Sequence, residues 1–203
     1  MRTQRPTLIL ILLVLSFTLG CNKAKSEADI LNAFKDYFEA VKTKSDAQWN
    51  YTVDTVKVWF EKADMVPSLK YKGEKMSKWG EWDKVMNSKS YYDSIWYNKR
   101  LHAVQGYFFE DNDFYDLIGA SPNKTLRTYS LNEEDKITDL LYERQRTENA
   151  ISDAQIDPIY EWALKNDSLE ITELYPKKQF VPSAKNALRW KTLIKKYKEQ
   201  TGR

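Results

Sequence analysis

The sequence predicts an α+β protein, a curved antiparallel sheet wrapped by N-terminal helices and followed by further C-terminal helices. Three observations carry that reading. Between Tyr91 and Arg144 stand five apolar, aromatic-rich runs, Ser94–Asn98, Leu101–Glu110, Asp113–Ile118, Leu126–Leu131 and Lys136–Arg144. Turn-forming segments separate them: Asp111-Asn112, Gly119–Asn123 and Asn132–Asp135. Short runs rich in Ile, Val, Thr, Tyr and Phe, punctuated this way, read as consecutive antiparallel strands. Helical periodicity flanks the block on both sides.

Composition sets the outer bounds. The 203 residues are 42% hydrophobic and 30% charged, which suits a single globular domain over residues 27–203 with its own core. The formal charge is +3, and removing residues 1–20 takes away two arginines and leaves 30 basic against 29 acidic side chains. That near-balance speaks against a nucleic-acid binder working by bulk electrostatics. Aromatic residues make up 14%, and they must be housed in a core, a cavity or a binding face.

Taken in order, the chain opens with a basic start, Arg2 and Arg5, and an apolar run from Leu8 to Leu15. This is the pattern of a secretory signal and is too short to span a bilayer. Thr18-Leu19-Gly20-Cys21 resembles the lipobox of bacterial lipoprotein precursors, which implies cleavage before Cys21 and lipidation of its thiol. Cys21 is the only cysteine, so no internal disulfide forms. Diacylglycerol with an amide-linked chain would anchor the protein stably. Asn22 stands where the enteric pattern places the Asp that retains lipoproteins at the inner membrane, so the resemblance favours the outer membrane. Residues 21–26 read as a brief polar tether.

Ser26 is an N-cap candidate for a helix to about Thr43, in which Ile30, Phe34, Tyr37, Phe38 and Val41 share one face. Ser45 or Asp46 can cap a second helix, with Trp49, Val53, Val56 and Phe60 at helical spacing. Trp79 and Trp82 fall in a third, short helix, Lys78–Met86. Beyond the central block, Asp157-Pro158 is a helix start, another helix spans Ser168–Leu174, and Ser183 caps a last one. In that last helix Ala187, Trp190, Leu193, Ile194 and Tyr197 form a face. Lys191, Lys195, Lys196 and Lys198 on its other side read as a solvated face. Trp162 and Trp190 are expected to dock these helices on the sheet or over its open end.

Chemistry-bearing residues are few. His102 is the only histidine, so no triad or metal site can use a second imidazole. No Gly-rich phosphate loop, nucleophile elbow or zinc motif occurs, and no cofactor or metal is implied. Glu110, Asp111 and Asp113 crowd one turn. They read first as a turn whose Asp and Asn cap their own backbone. Asp113 and Glu110 are nonetheless the carboxylates available for acid–base work, if either enters an aromatic pocket.

The body resembles the nuclear transport factor 2-like superfamily, closest to its lipoprotein-type and SnoaL-like members. The likeness rests on the long first helix Ile30–Val41, Gly80–Asp83, Gly106–Glu110, Asn112–Tyr115, Leu117–Gly119 and Thr128–Asn132 leading into Lys136-Ile137. It implies a cone-shaped fold whose bent sheet holds an apolar pocket roofed by the first helices, and pairing of two copies through the convex face. Members include isomerases, cyclases and dehydratases as well as pure binders. The reading preferred here is a non-catalytic envelope lipoprotein binding a small apolar or aromatic ligand or a partner. Trp96, Tyr107, Phe109 and Tyr129 would line its pocket, with Asp113 or Glu110 at the rim. Alternatives are an acid–base enzyme using a pocket carboxylate and a glycan binder working through exposed Trp and Tyr.

Overall fold

The computed structural model describes residues 25–61, 66–73, 78–145 and 153–202. The signal segment, Cys21 and most of the tether lie outside the described residues. Helix α1 (Glu27–Lys42) starts as expected at Ser26, whose hydroxyl caps the Asp29 amide while the Asp29 carboxylate answers the Ser26 amide. This reciprocal capping box satisfies two amides that the first turn would leave bare. Ile30, Phe34, Tyr37 and Phe38 are all buried on its inner face.

The second expected helix is a correction. Only a 3-10 turn, Asp46–Asn50, forms, and the chain then enters strand β1 (Thr52–Phe60). Val53, Val56 and Phe60 fit helical spacing by coincidence. The stretch also holds Thr52, Thr55 and Val58, and so many β-branched residues favour the pleated conformation. A short strand β2 (Ser68–Tyr71) pairs antiparallel with β1. Helix α2 (Lys78–Val85), strand β3 (Lys89–Asn98) and strand β4 (Ala103–Asp111) follow.

The third run of the central block is also corrected: residues 113–118 form a helix, α3 (Asp113–Ile118), not a strand. The Asn112 side chain accepts from the Tyr115 amide at 3.1 Å as N-cap, and Gly119 closes the helix in the left-handed region at φ 69°, where a residue without Cβ is unstrained. Strands β5 (Asn123–Leu131) and β6 (Ile137–Arg144) complete the sheet.

The strand order is β2-β1-β6-β5-β4-β3. Strands β3 to β6 run antiparallel to one another in sequence order, as expected. Strand β1 lies parallel to β6, so the sheet is mixed rather than wholly antiparallel. A register shift between Tyr92 and Ser94 marks a bulge in β3, the kind of extra residue that bends a strand. The sheet curves around α1. Gly106 permits the close approach of β3 and β4, because a Cβ there would stand 2.6 Å from the Ser94 carbonyl oxygen and 2.8 Å from Ile95 Cγ2.

Helices α4 (Asp153–Asn166), α5 (Ser168–Leu174) and α6 (Ala184–Thr201) form the C-terminal part. Helix α4 begins before the Asp157-Pro158 signal, so Pro158 lies inside it. Ser183 caps α6 through the Asn186 amide at 3.1 Å. The docking of these helices differs from expectation. Trp190 is fully buried against Phe114, Tyr175 and Phe180, and Trp162 packs against Tyr197. They join α2 and α3 in a helical core containing Trp82, Met86, Phe114, Ile171 and Ile194. A separate core, with Ile30, Phe34, Phe38, Val56, Phe108 and Tyr129, lies between α1 and the sheet.

Candidate functional site

The period of two along β4 and β5 decides which side chains meet α1. Val104 and Phe108 of β4, with Thr125, Arg127 and Tyr129 of β5, are buried. Val104, Phe108 and Tyr129 pack in the core beneath α1. Toward the C-terminal end of α1 that core opens into a cavity of about 710 Å³, within the range of small-molecule sites. Tyr37, Phe38 and Val41 of α1, Trp49, and Val56 and Val58 of β1 supply its apolar wall. Arg127, Tyr129, Leu140 and Tyr142 line the sheet side, and Asp83, Ser90 and Glu110 line the side nearest α2.

Arg127 is the least ordinary residue of this cavity. It is only 7% exposed. Its guanidinium carbon stands 4.8 Å from the centre of the Phe108 ring and 4.7 Å from that of Tyr142, a sandwich that stabilises a desolvated cation. Nε donates to Thr125 Oγ1 at 3.0 Å, and the Tyr129 side chain is a second hydrogen-bond partner. No carboxylate forms an ion pair with it among the described residues; Glu110 acts on it only as a nearby charge.

Burial, and secondarily the charge of Asp83, raises the Glu110 pKa above its ordinary value, opposed by Arg127. Asp83 is raised by burial too, although the Ser88 hydroxyl donating to it at 3.1 Å pulls the other way. Tyr37, Tyr129 and Tyr142 are pushed upward chiefly by burial and stay protonated. Thr52 and Ser90 line the cavity, but their hydroxyl oxygens are buried out of reach of solvent and have no hydrogen-bond partner. Lys42, Lys44, Lys70, Lys84 and Lys89 also line the cavity, and four of them, all but the half-buried Lys70, are exposed.

Of the residues expected from the sequence, Tyr129 and Glu110 line the cavity. Trp96, Tyr107 and Phe109 do not. They project from the opposite face of the sheet, where Trp96 meets Tyr107 at 5.8 Å and Phe109 stacks on Tyr91 at 5.2 Å. The second pair is parallel, at 7°, and the first is tilted, at 55°, so the four rings do not share one plane. Asp113 lies outside the cavity in the first turn of α3. Its carboxylate accepts from Lys191 Nζ at 2.6 Å and from Asn87 Nδ2 at 2.8 Å, and the Lys191 contact leads in lowering its pKa. Asp113 thus ties α6 to α3. His102 is engaged at the β4 entry by the Tyr97 hydroxyl and by the Asn132 carbonyl at 2.8 Å.

Arg127, Asp83, Thr52 and Ser90 were not singled out from the sequence. For Arg127 a signal existed: placing Tyr129 in the pocket puts Arg127, two residues earlier on the same strand, on the same face. Asp83 and Thr52 carried none, since their position depends on where α2 and β1 dock.

Among the described residues no cluster of His, Cys, Asp and Glu could hold a metal ion, and no helix is long and apolar enough to cross a membrane. No family model and no curated protein matches the chain in sequence. The solved structures similar in shape include the following two. One is a protein of unknown function with a cystatin-like fold from Methylobium petroleophilum PM1, 8% identical, covering 63% of this chain and 84% of that one, with a TM-score of 0.47. The other is a steroid delta-isomerase from Pseudomonas aeruginosa, 9% identical, covering 61% of this chain and 84% of that one, with a TM-score of 0.43. Likeness at this level carries no argument about fold or activity.

Proposed function

We propose that this protein is a lipid-anchored protein of the bacterial cell envelope, held through Cys21, favouring the outer membrane, that binds a small molecule with an apolar or aromatic body without converting it. The observation that carries the binding is the cavity itself: about 710 Å³, walled by Tyr37, Phe38, Trp49, Tyr129 and Tyr142. Apolar walls with a few convergent polar groups are what such sites need, and Arg127, Asp83 and Glu110 on the lining supply polar groups of that kind. The anchor rests on the Thr-Leu-Gly-Cys pattern of the leader.

Native mass spectrometry of the protein purified from its own cells tests both halves. The expected species is a chain beginning at a lipidated Cys21 and carrying a small molecule that collisional activation releases. A chain with an unmodified Cys21 removes the anchor. A bare protein that also fails to bind small aromatic compounds removes the binding function.

One observation favours a second reading. Glu110 is an inward carboxyl with a raised pKa, the profile of a general acid or base. An enzyme of that kind would convert the retained molecule, and Glu110→Gln would stop the conversion while leaving the molecule bound.

A further inference from the structure

We infer that the ligand of this cavity is a monocarboxylate with an apolar or aromatic body, its carboxylate received by Arg127. The inference rests on the binding function proposed above and names the class of molecule bound.

A buried guanidinium makes definite demands on its surroundings. Arg carries five N–H donors in a planar fork, and a buried one is ordinarily paired with a carboxylate or phosphate. Arg127 is 7% exposed and lines the cavity, yet its partners are two neutral hydroxyls and two ring faces. The rings favour the positive charge but accept no in-plane hydrogen bond. Thr125 and Tyr129 cannot take five donors between them. The fork therefore retains capacity for a planar anion in a low-dielectric setting, where a charge-assisted bond is strong.

A further feature agrees. The lysines on the lining give the approach a positive field that attracts anions. Glu110 and Asp83 narrow the class to a single charge. A dianion such as a phosphate monoester would add a second negative charge beside these two carboxyls. The aromatic wall from Trp49 to Tyr142 then holds the body of the molecule.

The test is isothermal titration of the full protein, purified from its cells and dialysed free of small molecules. The probes are 2-naphthoate, its neutral isostere 2-naphthamide, and 2-naphthyl phosphate. The expected result is naphthoate bound at least about tenfold more tightly than the amide, as one charge-assisted hydrogen-bond pair would give. That preference should survive in about 0.5 M salt, because a buried charge is screened far less than exposed lysines. Arg127→Met should bring naphthoate down to the affinity of the amide. Equal affinities in the native protein overturn the inference and leave the binding function standing, a comparison that does not require the variant to fold. A preference abolished by salt assigns the anion to the lysines instead, and tighter binding of the phosphate excludes the carboxylate class. Failure of all three probes to bind removes the inference together with the binding function beneath it.

Discussion

Trp190 offers the sharpest test of how this fold is held together. The side chain is 0% exposed, and its ring stands 5.4 Å from Phe180, 5.5 Å from Phe114 and 5.8 Å from Tyr175. Truncating such a residue to alanine costs about 3–5 kcal/mol. The indole Nε1, however, is buried without a partner, a penalty of roughly 1–3 kcal/mol that alanine removes. Trp190→Ala is therefore expected to cost about 2–3 kcal/mol. Trp190→Phe keeps one ring against the same neighbours and also removes the orphaned N–H. Its cavity cost and its relief nearly offset, for a net change within about 1 kcal/mol. Urea unfolding followed by far-UV circular dichroism measures both variants. Hydrogen exchange adds a regional readout, because the helical core and the sheet core are distinct clusters of buried residues. In Trp190→Ala, α4 to α6 should lose protection first while β4 to β6 keep theirs. If Trp190→Phe proves as costly as Trp190→Ala, the unpartnered N–H is no liability and the reasoning fails. Equal loss of protection in the strands would refute the separation of the cores.

Three other perturbations have equally definite outcomes. Burial raises Glu110 above its ordinary 4.5, so the folded state holds this proton harder than the unfolded chain does. The associated stability is complete below about pH 4.5 and is lost as pH rises through the raised folded value. Glu110→Gln should accordingly melt higher than the native protein at pH 8 and indistinguishably from it at pH 4; the same gain at both would show that the carboxyl is not buried. Asp113→Asn should cost about 1 kcal/mol at neutral pH, the scale of a half-exposed ion pair. A double-mutant cycle with Lys191→Met reads the coupling directly, and additive effects would deny the 2.6 Å contact any energetic role. Gly106→Ala should lower stability by about 1–3 kcal/mol, because its methyl group would meet the Ser94 carbonyl and Ile95 before either can move aside. An unchanged melting temperature would show that β3 and β4 separate more readily than their geometry implies.

Much of this architecture was legible because short-range physics specifies it. Helix α1 carries a capping signal and one apolar face, and both persist. Strands β4 to β6 follow from their turns and their period, and Ser183 starts α6 where a cap should. What the sequence misread turns on competition between patterns. In β1, helical spacing and β-branching point in opposite directions, and pairing with β6 across the sheet resolves them. In α3, the cap at Asn112 and the spacing of Phe114, Leu117 and Ile118 outweigh the aromatic content that suggests a strand. The candidate site was harder still. Both faces of β4 are aromatic, so alternation sorts Tyr107 and Phe109 from Val104 and Phe108 without saying which set faces inward. Only the packing of α1 against Phe108 and Tyr129 decides it. That single choice moved Trp96, Tyr107 and Phe109 to the outside, while Arg127 enters the cavity with Tyr129, its neighbour on the same face of β5.

The electrostatics of the cavity weigh binding against proton transfer. A general base needs a titrating group poised near its working pH and a second group positioned to complete the exchange. The groups here are displaced in one direction. Glu110 and Asp83 are pushed toward their protonated forms, and the three tyrosines are held protonated. The one imidazole of the protein, His102, is engaged at the β4 entry and is no part of the cavity lining. Arg127 cannot exchange a proton at any physiological pH. It remains a fixed positive charge, backed by Phe108 and Tyr142, beside carboxyls and tyrosines that are pushed toward their protonated forms. A fixed cation at an apolar wall orients an anion and lowers its free energy when bound. Arg127 itself offers no route for a proton, so any proton transfer in this cavity would fall to Glu110, the inward carboxyl whose pKa burial raises.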